Sequence, residues 1–225
     1  MVKGDFMLRK SLVVLLACTV GGIAPVLSAA AVTVAAPATS SHGAPAVGGT
    51  PEATINTLDG VLLKSMQGGR RLGYGGRYQI VAPVVQKVFD YRRIAALTLG
   101  DDWQKLSPEQ QNEFVGVLAD FTAATYAARF DSYNGEHFAI VSSQALQPGA
   151  EGVFSTFTEH NGKVHHFDYI LQKDGDHWRI VNVVADGVSD LSLRRAEYTE
   201  TMQKKGFAAL IAHLKAQIAG YAKGS

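Results

Sequence analysis

The chain has 225 residues, with 21 Lys and Arg against 20 Asp and Glu, a net charge of +1, and 47% hydrophobic residues. That length holds one sizeable domain plus processing segments, and so even a charge balance offers no footprint for nucleic acid. The one cysteine, Cys18, lies in the N-terminal segment, so a domain without that segment has no disulfide, no thiolate metal ligand and no cysteine nucleophile.

Lys3, Arg9 and Lys10 precede an apolar run from Leu12 to Leu27, which is followed by Ser28, Ala29, Ala30 and Ala31. A basic segment, an apolar segment and then small residues predict a secretory signal peptide over residues 1–31, cut after Ala31 or Ala36. Gly21, Gly22 and Pro25 break the apolar run, which argues against a permanent membrane span. Leu15 to Cys18 loosely matches a lipoprotein cleavage box, but the apolar run continues well past Cys18. Removing residues 1–31 takes away Lys3, Arg9, Lys10 and Asp5, leaving a nearly neutral mature chain. Residues 32–50, rich in Ala, Thr, Ser, Gly and Pro without a hydrophobic period, predict a disordered linker.

The domain is expected over residues 51–221. Thr50 and Pro51 are a helix start, and Ile55, Leu58, Val61, Leu62 and Met66 follow on one face until Gly68-Gly69. Gly73, Gly75 and Gly76 follow a helix and lack phosphate-loop spacing, so they predict a connection into a second helix that contains Pro83. Phe89 to Ile94 predicts a short helical turn, and Leu99 to Trp103 a loop that inserts a tryptophan. Ser107-Pro108-Glu109-Gln110 is a capping box, opening a helix to about Tyr133 with Phe114, Val117, Leu118, Phe121, Tyr126 and Phe130 as its stripe.

His137 to Ser143 predicts a first strand, and Gly152 to Ser189 a three-strand meander turned at Asn161-Gly162 and Asp174-Gly175. With two-residue loops at both turns, Leu171 faces Trp178, Tyr169 faces Ile180 and Phe154, and Phe167 faces Thr156. Phe154, Phe167, Tyr169, Leu171, Trp178 and Ile180 then form one apolar wall, with His166, Asp168, Ile170 and Arg179 on the other face. Asp190 to Lys205 and Phe207 to Tyr221 return to helix, with Ser189 as a cap. The layout is α+β: a curved antiparallel four-stranded sheet covered on one face by helices. The 107–133 and 190–221 helices are the expected roof over the wall.

Chemistry is sparse. His165 and His166 are strand neighbours facing opposite ways, and His137, His160, His177 and His213 do not supply a converging ligand set, so no metal is expected. Ser189 lacks the second glycine of a nucleophile elbow. Asp168 suits a cross-strand pair with Arg179, and the doublets Arg70-Arg71, Arg92-Arg93 and Arg194-Arg195 suit solvent. An apolar wall without a polar catalytic set favours binding over catalysis, and no cofactor is expected.

Pro83-Val84-Val85 through Val88-Phe89-Asp90-Tyr91, Leu99 to Trp103, Ser107 to Gln111, Glu113-Phe114, Thr125-Tyr126 and Tyr133 occur here in order. Tyr169-Ile170-Leu171, Trp178 to Val183 and Gly187-Val188-Ser189 continue the series. Their order resembles the MlaC/Ttg2D family, the periplasmic lipid-binding components of a phospholipid-trafficking ABC system. Asn182 and Asp186 depart from the family's usual Asp and Glu. Asp190 to Tyr198, with Phe130 to Glu136, looks like the HpnM branch associated with hopanoid biosynthesis.

The resemblance implies an NTF2-like or cystatin-like sheet, and a periplasmic, monomeric carrier of phospholipid or hopanoid. It also implies partners in an inner-membrane ABC/MCE complex and an outer-membrane lipoprotein complex. The lipid-binding residues expected are Val85, Val88, Phe89, Leu118, Phe154, Phe167, Tyr169, Leu171, Trp178 and Ile180. The alternatives are a non-enzymatic accessory factor for hopanoid biosynthesis and an NTF2-like isomerase. The isomerase requires a buried carboxyl inside the wall.

Overall fold

A computed structural model describes residues 49–223. The predicted signal peptide and nearly all of the predicted linker lie outside the described residues. Six helices and five strands follow one another as α1 (Pro51–Val88), α2 (Tyr91–Leu99), α3 (Asp101–Lys105), α4 (Pro108–Arg129), β1 (His137–Gln147), β2 (Ala150–Thr158), β3 (Val164–Asp174), β4 (His177–Ala185), β5 (Val188–Ser189), α5 (Asp190–Lys205) and α6 (Phe207–Lys223). Among the described residues no helix is long and apolar enough to cross a membrane.

Local chemistry sets the helix ends. Thr50 Oγ1 accepts from Ala53 N–H, Ser107 and Gln110 complete the capping box, and Ser189 Oγ accepts from Ser192 N–H. Gly69 and Gly73 leave helical geometry inside α1, with φ of 43° and 60°, so the chain bends between two helical halves. Arg77, buried, holds that bend: its Nε donates to Ala127 O at 2.7 Å and its Nη1 to Gly69 O at 2.9 Å. Leu99 to Trp103 is not a loop, because α3 begins at Asp101; Trp103 is nonetheless buried.

The sheet has five strands in sequence order rather than four, all neighbours antiparallel; β5 adds a short pairing of Val188 and Ser189 onto β4. Both hairpin registers differ from the expected ones, the first in loop length and the second in the position of its turn. At the first turn Thr158 pairs with Val164, and Glu159 N–H donates to Lys163 O and Gly162 N–H to Glu159 O, closing a five-residue loop. That slip of one residue places Phe154 opposite Asp168, on the outer face beside Gly152 and Leu146. A one-residue slip moves a side chain to the other face, so Phe154 is not part of the inner wall.

At the second turn Asp174 pairs with His177 around Gly175-Asp176, with Gly175 at φ 59° in a two-residue loop. Leu171 therefore faces Ile180, and Trp178 faces Lys173. An irregularity at Ile170/Leu171 lets Val181 bulge, after which Tyr169 faces Val183.

The inner row of β3 is His165, Phe167, Tyr169 and Leu171, all buried, while His166 and Lys173 are exposed. α1, which the expected roof omitted, lies across β1, β2 and β4; α5, from that roof, and α2 also pack on β4, while α4 packs along α1 and α6 on α4 and α5. Thr54 Oγ1 donates to Trp178 O at 3.0 Å, and Asp90 N–H donates to Ile180 O at 2.9 Å, so both ends of α1 are tied to β4.

Candidate functional site

The space between the sheet and its helices is one apolar cluster. Val85 and Val88 from α1, Phe89 from the α1–α2 junction, Leu118 from α4, and Phe167, Tyr169, Leu171 and Ile180 from the sheet are all buried in it. Trp178 packs at its margin, half-buried. Nine of the ten expected residues are thus brought together, and Phe154 is the exception. Phe89 is the pivot: its ring stacks on Tyr91 at 5.6 Å, tilts against Tyr126 at 6.3 Å, and its backbone bridges to Ile180.

At the β2–β3 turn end the cluster opens into a cavity of about 40 Å³, lined by Met66, Arg129, Phe130, Ser132, Glu136, Phe157, Glu159, His165 and Phe167. Such a volume holds a water or two and no acyl chain, so the helices stand closed against the sheet here. Phe130 and Phe157 make its aromatic side and Phe138 packs against both, with centroids 4.8–6.1 Å apart.

His165 forms the polar side. Its ring bridges two carboxylates, with Nδ1 2.7 Å from Asp186 Oδ2 and Nε2 2.9 Å from Glu159 Oε1. The hydrogen bond from His165 holds the Glu159 carboxyl below its usual range. Burial pushes the Asp186 carboxyl up, but bonds from His165 and from His166 N–H outweigh it and the net direction is down. Asp186 adopts a left-handed conformation, φ 49°, which a short polar side chain tolerates when it bonds its own surroundings.

A second polar group lies within the apolar cluster. Asp59 sits on the core stripe of α1 with Ile55, Leu58 and Leu62, is 6% exposed, and its Oδ1 has no hydrogen-bond partner in the protein. Burial pushes its carboxyl up to about 7. It is close enough to Tyr126 of α4 and Tyr169 of β3 to act on both electrostatically, and burial holds both phenols neutral, far above their ordinary range. The Tyr91 hydroxyl of α2 is buried as well, against Thr122 of α4.

Nothing in the linear pattern pointed to Asp59 except its place: a carboxylate at the fourth position after Ile55, where the helical stripe calls for an apolar residue.

Two expected surface groups are placed otherwise. Arg194 is largely buried: its Nε lies 2.5 Å from Asp190 Oδ2, its Nη1 donates to Tyr198 Oη, and its guanidinium covers the Phe121 ring at 4.7 Å. Arg179 pairs with Asp174 at 2.8 Å, not with Asp168. Among the described residues no group of three or more His, Cys, Asp or Glu side chains is placed to hold a metal ion.

The family model described as MlaC protein matches residues 59–216. The chain is similar to the toluene tolerance protein ttg2D of Pseudomonas putida, 25% identical over 103 residues, which is 46% of this chain and 48% of that protein. The match therefore spans about half the length of that curated relative. The chain also resembles a solved phospholipid-binding protein from Ralstonia solanacearum, determined in complex with a phospholipid. That likeness has a TM-score of 0.64 and 24% identity, covering 76% of this chain and 97% of the other.

Proposed function

The chain belongs to the MlaC family, and from that premise we propose that it is a periplasmic phospholipid carrier that houses acyl chains between its sheet and helices. The observation that carries the proposal is the apolar inner row of β3. From Phe167 to Leu171 it runs about 13 Å at the rise of a strand, close to the ~15 Å depth of one bilayer leaflet. Val85, Val88 and Phe89 cover it on one side with Leu118 behind them, and Ile180 and Trp178 continue it on β4.

The cavity of about 40 Å³ beside the cluster is too small for a chain, so loading requires α1, with α4 packed on it, to move off the sheet. The bend at Gly69 and Gly73 divides α1 into halves that can shift separately. Burial of about 0.8 kcal/mol per methylene gives a lipid the free energy to hold them apart. A head group would stay at the solvent edge, and release would follow when the helices close again. No bond is made or broken. The ligand is a phospholipid or a hopanoid, and the partners are an inner-membrane ABC/MCE complex and an outer-membrane lipoprotein complex that exchange it.

The test is solvent extraction of the purified protein followed by mass spectrometry, together with uptake of labelled phospholipid from vesicles. A stoichiometric lipid is the expected result. Protein that carries none and takes up none is not a carrier. Asp59 meets the requirement set for an isomerase, a carboxyl inside the wall. Movement of a double bond in a cyclic unsaturated ketone, lost in Asp59→Asn, would favour that alternative.

A further inference from the structure

We propose that Asp59 is a specificity-determining contact of the lipid slot, completed by a hydrogen-bonding oxygen that the bound lipid carries near the middle of its length, foremost a chain hydroxyl. This rests on the carrier function proposed above and says which lipids the slot prefers.

Ile55, Leu58, Asp59 and Leu62 recur at helical spacing on the buried face of α1, so the carboxyl points into the cluster and not along the surface. Its neighbours Tyr126 and Tyr169 come from α4 and β3, so it stands where the walls of the slot meet. None of the ion pairs found among the described residues involves it.

An apolar side chain here would cost nothing, whereas a buried polar atom without a partner destabilises the closed state. An unpaired carboxyl inside an otherwise apolar slot fits a ligand that is not hydrocarbon throughout. A hydroxyl suits the carboxyl in either protonation state, because it donates to the carboxylate and accepts from the acid.

The row sets the height of that oxygen. Tyr169 is four residues from His165 and four from Lys173, about 13 Å from each end at strand rise. Asp59 acts electrostatically on Tyr169, the middle of that row, so an oxygen near mid-chain is the one expected to meet it whichever end admits the head group.

The experiment uses the full mature chain loaded with a fluorescent acyl-labelled phospholipid, displaced by stearic acid or by hydroxystearic acid with its hydroxyl at mid-chain. The quantity read is the ratio of the two displacement constants, compared between wild type and Asp59→Leu, which cancels the cost of burying the hydroxyl itself. The ratio is expected to shift about fivefold against the hydroxylated chain in Asp59→Leu, the worth of one hydrogen bond. Asp59→Asn, which still donates and accepts, should keep most of the wild-type preference. Thermal unfolding of both variants checks that they are folded.

An unchanged ratio in Asp59→Leu overturns the assignment and leaves the carrier intact. Failure of the wild type to take up the probe overturns both.

Discussion

Replacing Asp59 should make the protein more stable above neutrality and remove a pH dependence that the wild type carries. Burial raises this carboxyl from the ordinary 3.8 to about 7. Between those values the native state holds a proton that the unfolded chain has released, so stability falls as pH rises through the interval and levels off above it. About three pKa steps at 1.36 kcal/mol each put the whole loss at about 4 kcal/mol, of which about 2 kcal/mol falls between pH 5 and 7.

Urea denaturation of wild type and Asp59→Asn at pH 5 and pH 8 reads the difference directly, because the amide keeps the shape and does not titrate. Asp59→Leu adds the removal of an unpaired polar group and should exceed the asparagine variant at both pH values. Glu159 and Asp186 titrate with the opposite sign, but their lowered values put that loss below the window. Parallel pH dependence in wild type and Asp59→Asn would refute the burial argument.

Leu171→Ala removes a side chain with no exposure and should cost about 2–5 kcal/mol, whereas Phe154→Ala, half-buried on the outer face, should cost much less and leave lipid retention unchanged. Equal effects in urea titrations would contradict the register. Arg77→Leu leaves the Gly69 and Ala127 carbonyls without their donor inside the bend of α1, and should lower stability by about 3 kcal/mol by the same measurement. His165→Gln should weaken the hold on Glu159 and Asp186, whose folded-state values are lowered and whose contribution is present above about pH 4.5 and lost in acid. Acid denaturation between pH 5 and 3 should therefore be shallower in the variant. An unchanged acid limb would show that the histidine does not set those carboxyls.

What was legible in the sequence was local. Thr50, Ser107 and Ser189 announce their helices because a cap is satisfied within three residues, and the stripe on each helix follows from a fixed turn. Strand order followed as well, since each antiparallel neighbour is joined by a short turn. Val85, Val88 and Leu118 were legible as buried residues for the same reason, as members of apolar stripes.

Tertiary structure decided the rest. Whether Asn161-Gly162 closes a two- or a five-residue loop depends on how β2 and β3 meet, and that one step sent Phe154 outward. Arg194 reads as a surface charge until Phe121, Asp190 and Tyr198 surround it. Asp59 is one polar letter in an apolar stripe, and only α1, α4 and β3 coming together around it make it a buried carboxyl. Periodicity records which way a side chain points along its own element. What that side chain meets there belongs to residues distant in the chain, and so is settled only when the elements pack.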